Sequence, residues 1–101
     1  MGIRRIYKYE VDLLQPGKAE VLMHAGTVLS VGMQSKGPVI WADVDPQTPK
    51  RYRFVVSVAT GGEPPPASEY RYVGHLQLVR RDSDPLEFAV WHFWVDRAGE
   101  P

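Results

Sequence analysis

The residues of this chain most able to do chemistry are cationic and aromatic. Lys50, Arg51, Arg53, Arg71, Arg80 and Arg81 supply positive charge around the middle of the sequence, and Trp41, Tyr70, Tyr72 and Trp91 supply rings. Guanidinium forks pair with phosphate oxygens, and both guanidinium groups and rings stack on bases. The short loop Thr60-Gly61-Gly62 offers backbone N–H groups that can cradle a phosphate. The candidate ligand-binding set is therefore Trp41, Arg51, Arg53, Thr60, Gly61, Arg71 and Trp91, and the chemistry is capture of a phosphate-bearing small molecule. Each member also has an ordinary alternative: a solvated strand face, a core aromatic or a plain connection. The Thr-Gly-Gly run lacks the lysine and the following helix of a P-loop.

Signals for catalysis are weaker. His24, His75 and His92 fall in different elements, without the spacing that puts two on one face of a single element. A metal site would require them to converge in space with a carboxylate, so no metal is expected, and no cofactor either. Ser30, Ser57 and Thr60 are nucleophile candidates by type only, since nucleophilic catalysis needs an adjacent base and a group to orient it. Asp43 and Asp45 flank Val44 and can form a carboxylate pair, although Asp-x-Asp-Pro more often caps its own backbone. The chain has no Cys, which removes disulfides, thiolate metal sites and a cysteine nucleophile. The expectation is a protein that is not an enzyme.

These residues must be positioned by one small domain. At 101 residues the chain suits a single domain, 1–101, and is too short for two ordinary ones. Hydrophobic residues make up 44% of it, enough for a real core. Twelve basic and twelve acidic residues cancel, so the footprint of a sequence-specific nucleic-acid binder is absent. No apolar run approaches the roughly 20 residues of a membrane helix. The opening stretch MGIRRIYKYEVDLL has charges inside its apolar part and does not read as a signal peptide.

Nine Pro and nine Gly punctuate the sequence, and between them lie short runs rich in Val, Ile, Tyr, Phe and Trp. That pattern predicts an all-β chain, a compact antiparallel barrel or sandwich of about seven strands with little or no helix. The strands fall at 4–13, 19–23, 27–34, 39–44, 51–58, 69–79 and 88–95. Turns are expected at Gln15-Pro16-Gly17-Lys18, Lys36-Gly37-Pro38, Asp45–Pro49 and 80–85, and a fraying tail at 97–101. In the third strand, Thr27, Leu29, Val31 and Met33 share a face. In the fifth, Tyr52, Phe54, Val56 and Val58 face the core, while Arg51, Arg53 and Ser57 face away. Strands five and six forming a hairpin would place the 59–68 loop at its end, beside the candidate set. The last strand, Phe88 to Val95, is apolar on both faces, so it is either central and covered on both sides or meets another chain. That surplus of apolar surface predicts a homo-oligomer with this strand near the contact.

The blocks Ile6-Tyr7-Lys8-Tyr9, Leu29-Ser30-Val31-Gly32-Met33-Gln34, Trp41-Ala42-Asp43-Val44-Asp45-Pro46, Arg53-Phe54, Thr60-Gly61, Tyr72-Val73-Gly74-His75-Leu76-Gln77 and Trp91-His92-Phe93 occur in this order. In that arrangement the chain resembles a family of small β proteins encoded mostly by tailed phages and prophages, over nearly its whole length. It departs from the family pattern at Gly74-His75-Leu76-Gln77, where members usually show Gly-Thr-Phe-Gln, and in the proline-rich stretch from Glu63 to Ser68. The resemblance implies a phage product acting in the cytoplasm of an infected bacterial host. It brings no catalytic residue with it.

Two function classes follow. One is a non-enzymatic binder of a nucleotide, sequestering a host nucleotide immune signal. The other is a structural or protein-interaction module. On the first, replacing Arg53 with Ala weakens a charge-paired ligand by about 1.5–3 kcal/mol and leaves thermal stability nearly unchanged.

Overall fold

The computed structural model describes residues 3–12, 17–80 and 87–100. The expected turn residues Gln15 and Pro16, the end of the first strand at Leu13, most of the 80–85 turn and Pro101 lie outside these. Seven strands form: β1 (Arg5–Glu10), β2 (Lys18–Met23), β3 (Gly26–Gln34), β4 (Gly37–Val44), β5 (Arg51–Ala59), β6 (Tyr70–Arg80) and β7 (Glu87–Asp96). Every pairing is antiparallel, and no helix occurs among the described residues. The strands divide into a three-stranded sheet, β1-β4-β3, and a four-stranded sheet, β2-β5-β7-β6, packed as an open sandwich.

Alternation sets the inner faces. Along β2, Ala19, Val21 and Met23 point inward while Lys18, Glu20 and Leu22 point out. From β4, the middle strand of its sheet, Ile40, Ala42 and Val44 enter the core. They meet Val55 of β5 and Phe93 and Val95 of β7. Two bulges then break the simple period. In β3, Val28 pairs with Ala42 and Ser30 with Trp41, so Leu29 is the extra residue. Val28 and Val31, three apart, therefore both face the core, while Leu29 and Met33 are exposed. The shared face expected for Thr27, Leu29, Val31 and Met33 does not form.

The second bulge lies in β6, where Tyr72 pairs with Trp94 and Gly74 with Phe93, leaving Val73 extra. Gly74 has φ +140°, a conformation that side chains rarely adopt, and a Cβ there would press on Val31 of the opposite sheet. This glycine lets the bulge form at a point where the sheets approach closely. The result is that Tyr72 and His75, also three apart, share the outer face.

The structure reverses β5. Arg53, Val55 and Ser57 are buried, while Tyr52 is exposed and Phe54, Val56 and Val58 lie on the outer face with it. A one-residue change of register flips every side chain of a strand. Here the register is fixed by β2 on one side and β7 on the other, whose inner residues are already apolar. Hydrophobicity alone named the wrong face because β5 carries more rings outward than inward. Nor do β5 and β6 form a hairpin: β7 lies between them, and the 60–69 connection passes over its end. β7 is central in its sheet, as one reading of its two apolar faces required, but only one of those faces is covered by the other sheet. The 97–101 tail, expected to fray, is tied through its described part: Arg97 N–H donates to the Glu69 carbonyl at 2.8 Å and Arg97 Nε to the Ala67 carbonyl at 2.8 Å.

Phe93 is fully buried at the centre of this core. Phe93→Ala should cost about 3–5 kcal/mol by loss of burial and creation of a cavity. Chemical denaturation checks this, and a loss under 1.5 kcal/mol would contradict the placement of Phe93.

Candidate functional site

The residues singled out in the sequence are dispersed by the fold. Arg51 and Thr60 stand at opposite ends of β5, roughly 30 Å apart at about 3.3 Å per residue. Trp41 lies on the outer face of the three-stranded sheet, its ring stacked over Gly32, where any Cβ would collide with it. Trp91 belongs to the inner face of the other sheet and packs against the core. No single ligand of ordinary size touches Trp41, Arg51 and Thr60 together. Gly61 sits in the turn after β5 with φ +97°, beside Thr60 and away from the arginines.

Two members do converge. Arg53, 5% exposed, and Arg71 both reach into the space between the sheets. Arg53 Nε donates to Asp96 Oδ1 at 2.5 Å, Nη2 to the Asp96 carbonyl at 2.7 Å and Nη1 to the Gly26 carbonyl at 3.4 Å. Arg71 Nη2 donates to the Val28 carbonyl at 2.6 Å and its Nε to Glu100 Oε1 at 3.0 Å. These guanidinium groups hold the fold as well as offering charge. The near-neutral stability expected for Arg53→Ala therefore does not follow, because Asp96 would be left without its cation in a largely dry site.

The aromatic chemistry gathers elsewhere, on the outer face of the four-stranded sheet. The register places Lys18, Val56, Trp94 and Tyr72 in one row across all four strands. Beside it lie Glu20 with Phe54, Leu22 with Tyr52, and Val58 with His92 and His75. Tyr72 meets Trp94 edge to face at 5.2 Å between centroids, and Lys18 Nζ sits 4.1 Å from the centre of the Phe54 ring. None of Tyr52, Phe54, His75 and Trp94 was in the candidate set. His75 shares a face with Tyr72 only through the bulge at Val73, and Tyr52 and Phe54 reach this face only through the reversal of β5, neither of which a strict period of two reveals.

His92 holds a short relay on this face. Its Nε2 is 2.9 Å from Thr60 Oγ1 and its Nδ1 2.9 Å from the Tyr72 hydroxyl. His75, its cross-strand partner, lies 6.0 Å away between ring centroids, so two histidines from distant sequence positions do converge. A hydroxyl against an imidazole that is steadied by a third group is the outline of an activated nucleophile. However, Thr60 Oγ1 also donates to the Val90 carbonyl at 3.3 Å. With its proton there, Nε2–H donates to Thr60 and the Tyr72 hydroxyl donates to Nδ1, so the relay closes on itself as a lock between β5, β6 and β7. His24 is remote from this pair, and its Nδ1–H donates to the Thr48 carbonyl at 2.7 Å.

Such a pattern over the chain has a counterpart. A family model covers residues 3–101. The chain belongs to the family described as Domain of unknown function (DUF7352). Comparison with curated proteins and with solved structures returned no match. The family assignment thus covers the whole sandwich, including both arginines, the relay and the tail segment 97–100, and it attaches no activity to any of them.

The Asp43 and Asp45 carboxylates line a cleft of about 540 Å³ with Arg4, Thr48 and Glu100. Arg4 grips Asp43 with both Nε and Nη2, and that hydrogen bond raises the Arg4 pKa above its ordinary value. Asp45 Oδ1 accepts the Gln47 N–H at 3.0 Å, the backbone cap that its Asp-Pro context suggests. Nearby, burial raises the Tyr9 hydroxyl above the usual phenol range, opposed in part by the His24 N–H that it accepts.

Arg53→Ala should destabilise the fold by about 3–5 kcal/mol, the usual result of breaking a buried ion pair from one side. Urea unfolding of the variant measures it. A stability equal to wild type would mean that Arg53 is not held between the sheets.

Proposed function

We propose that this family member is a phage-encoded binding protein with no chemistry of its own, working in the cytoplasm of the infected bacterial host, and that the open face of the β2-β5-β7-β6 sheet is its recognition surface. The observation that carries this reading is the ring-bearing outer face of that sheet, where Phe54 and Trp94 lie with Tyr52, 62% exposed, and Tyr72, 46% exposed, on the side away from the core. Interface cores are enriched in aromatic residues and poor in charge. This face has that composition, with Lys18 and Glu20 as its charges on β2.

The shape of the surface favours the interaction module over the nucleotide binder. Small ligands are usually held in concave sites that bury most of their surface, and a sheet face with projecting rings suits a broad partner. We take that partner to be a second copy of the chain. Lys18 and Glu20 lie two residues apart on the same face of β2, so a two-fold axis can set each opposite its complement. Four strands at about 4.8 Å and six residues at about 3.3 Å give a flat footprint of roughly 400 Å² per chain. The relief of the side chains raises that toward the lower range of specific interfaces.

Light scattering at micromolar concentration should return twice the 11.4 kDa chain mass. Tyr52→Glu should return the single-chain mass and still unfold cooperatively, since Tyr52 packs little within its own chain and what it loses is the added stability of association. A single-chain mass for wild type would remove the proposal. Nucleotide binding that is lost in Trp94→Ala would put the sequestering reading in its place.

Incubation with cyclic di- and trinucleotides should leave them intact after heat denaturation of the protein. Breakdown products above a no-protein control, abolished by His92→Ala, would assign the Thr60–His92–Tyr72 relay to catalysis.

A further inference from the structure

Glu100 occupies an unusual position for a carboxylate. Arg71 approaches its Oε1 with Nε at 3.0 Å and with Nη2, and Arg53 Nη2 lies 3.8 Å from the same oxygen. The other oxygen, Oε2, is buried and has no hydrogen-bond partner among the described residues. Two guanidinium groups from strands that are not neighbours thus converge on one oxygen, and the second oxygen is desolvated for nothing. A buried charged acceptor left unpaired is costly. Glu100 therefore fits this seat incompletely.

The surrounding space is divided by the segment that carries Glu100. The cleft of about 540 Å³ is lined by Thr27, Gly99 and Glu100 together with Asp45 and the Arg4–Asp43 ion pair. A second cleft of about 330 Å³ is lined by His24, Thr48, Arg51, Arg53, Ala98 and Gly99. Both share Ala25, Thr48 and Gly99, so Gly99 forms part of the wall between them, with Glu100 on one side and Ala98 on the other. Gly99 lies so close to Arg53 that a Cβ would strike its side chain. The segment is fastened upstream, where Arg97 bonds to Glu69 and Ala67, and downstream through Glu100. Movement of 98–100 about Arg97 would leave every strand pairing intact.

We propose that Arg53 and Arg71 form a seat for a tetrahedral oxyanion, a phosphate monoester or inorganic phosphate, and that Glu100 fills this seat as an internal stand-in until the anion displaces it. Phosphate supplies at least three acceptor oxygens where Glu100 uses one. Those oxygens match the Arg71 fork and the Arg53 Nη2, and Arg51 lines the cleft that displacement opens. Arg53 keeps Asp96 throughout, so the seat without Glu100 carries one net positive charge (two guanidinium groups less one carboxylate). The proposal is independent of the open-face reading, since the seat lies between the sheets.

Calorimetric titration of inorganic phosphate and of adenosine monophosphate, at low salt, tests it. Glu100→Gln keeps the size of the side chain and removes its charge. It should bind phosphate about tenfold or more tightly than wild type. Arg71→Ala placed in the Glu100→Gln background should reverse that gain, and Arg71→Lys, which keeps the charge and loses the fork, serves if the alanine variant does not fold. Stronger binding of the nucleotide than of phosphate assigns the seat to a phosphate monoester, and equal binding assigns it to free phosphate. Phosphate affinity in Glu100→Gln no greater than in wild type, or unchanged by loss of the Arg71 fork, would overturn the proposal.

Discussion

The charge of Arg53 is placed where charge is most expensive, between two β-sheets, and the surrounding chain is arranged to meet it. Asp96 at the end of β7 accepts from it with both side chain and main chain, and the Asp96 Oδ2 also accepts the Phe54 N–H at 2.9 Å. Gly26, at the start of β3 in the other sheet, gives it a carbonyl. This one contact therefore joins β5 to β7 and one sheet to the other. It also requires β5 to turn its odd-numbered residues inward. Once Arg53 is inside, Tyr52, Phe54 and Val56 must be outside, and the ring-bearing face exists as the other half of the same constraint.

Much of this architecture was legible in the residues, and the parts that were not share a cause. Gly and Pro bounded all seven strands to within a few residues, because turn chemistry is local. The inward side of β2 also follows its plain alternation. The inward side of β5 does not, since hydrophobicity argues for Tyr52 and Phe54 and only the distant Asp96 argues for Arg53. The two bulges were equally hidden. Each depends on a neighbour in space, Ala42 and Trp41 opposite the β3 bulge and Val31 against Gly74, and a strict period of two has no place for the extra residue. The strand order β5-β7-β6 escaped for the same reason, as adjacent strands in sequence are only usually adjacent in space. The candidate set is dispersed for the same reason, since residue type carries no distance, and two of its arginines, Arg53 and Arg71, pair with the chain's own carboxylates.

The two faces of the four-stranded sheet divide the labour of the molecule. The inner face carries aliphatic packing together with an ion-pair network from Arg53, Arg71, Asp96 and Glu100, and this network fixes geometry. The outer face carries rings and a closed hydrogen-bonded relay from Thr60 through His92 to Tyr72, which orders side chains that would otherwise swing in water. The backbone of both inner strands of the sheet, β5 and β7, is consumed by sheet pairing on both sides. Anything that meets that face therefore meets side chains and no free backbone groups of β5 or β7.

The bulges have a further consequence for the edges of the sandwich. An open sandwich exposes the rims of its outermost strands, and an unpaired rim is a template on which another chain can add a strand and begin a fibre. In this molecule the rims of β3 and β6 come together, with Gly74 against Val31 and the Arg71 guanidinium capping the Val28 carbonyl. Both are kinked by an extra residue at that meeting point. A straight incoming strand cannot match either rim through its kink. The same irregularities that obscured the strand faces in the sequence thus guard the seam between the sheets against runaway polymerisation.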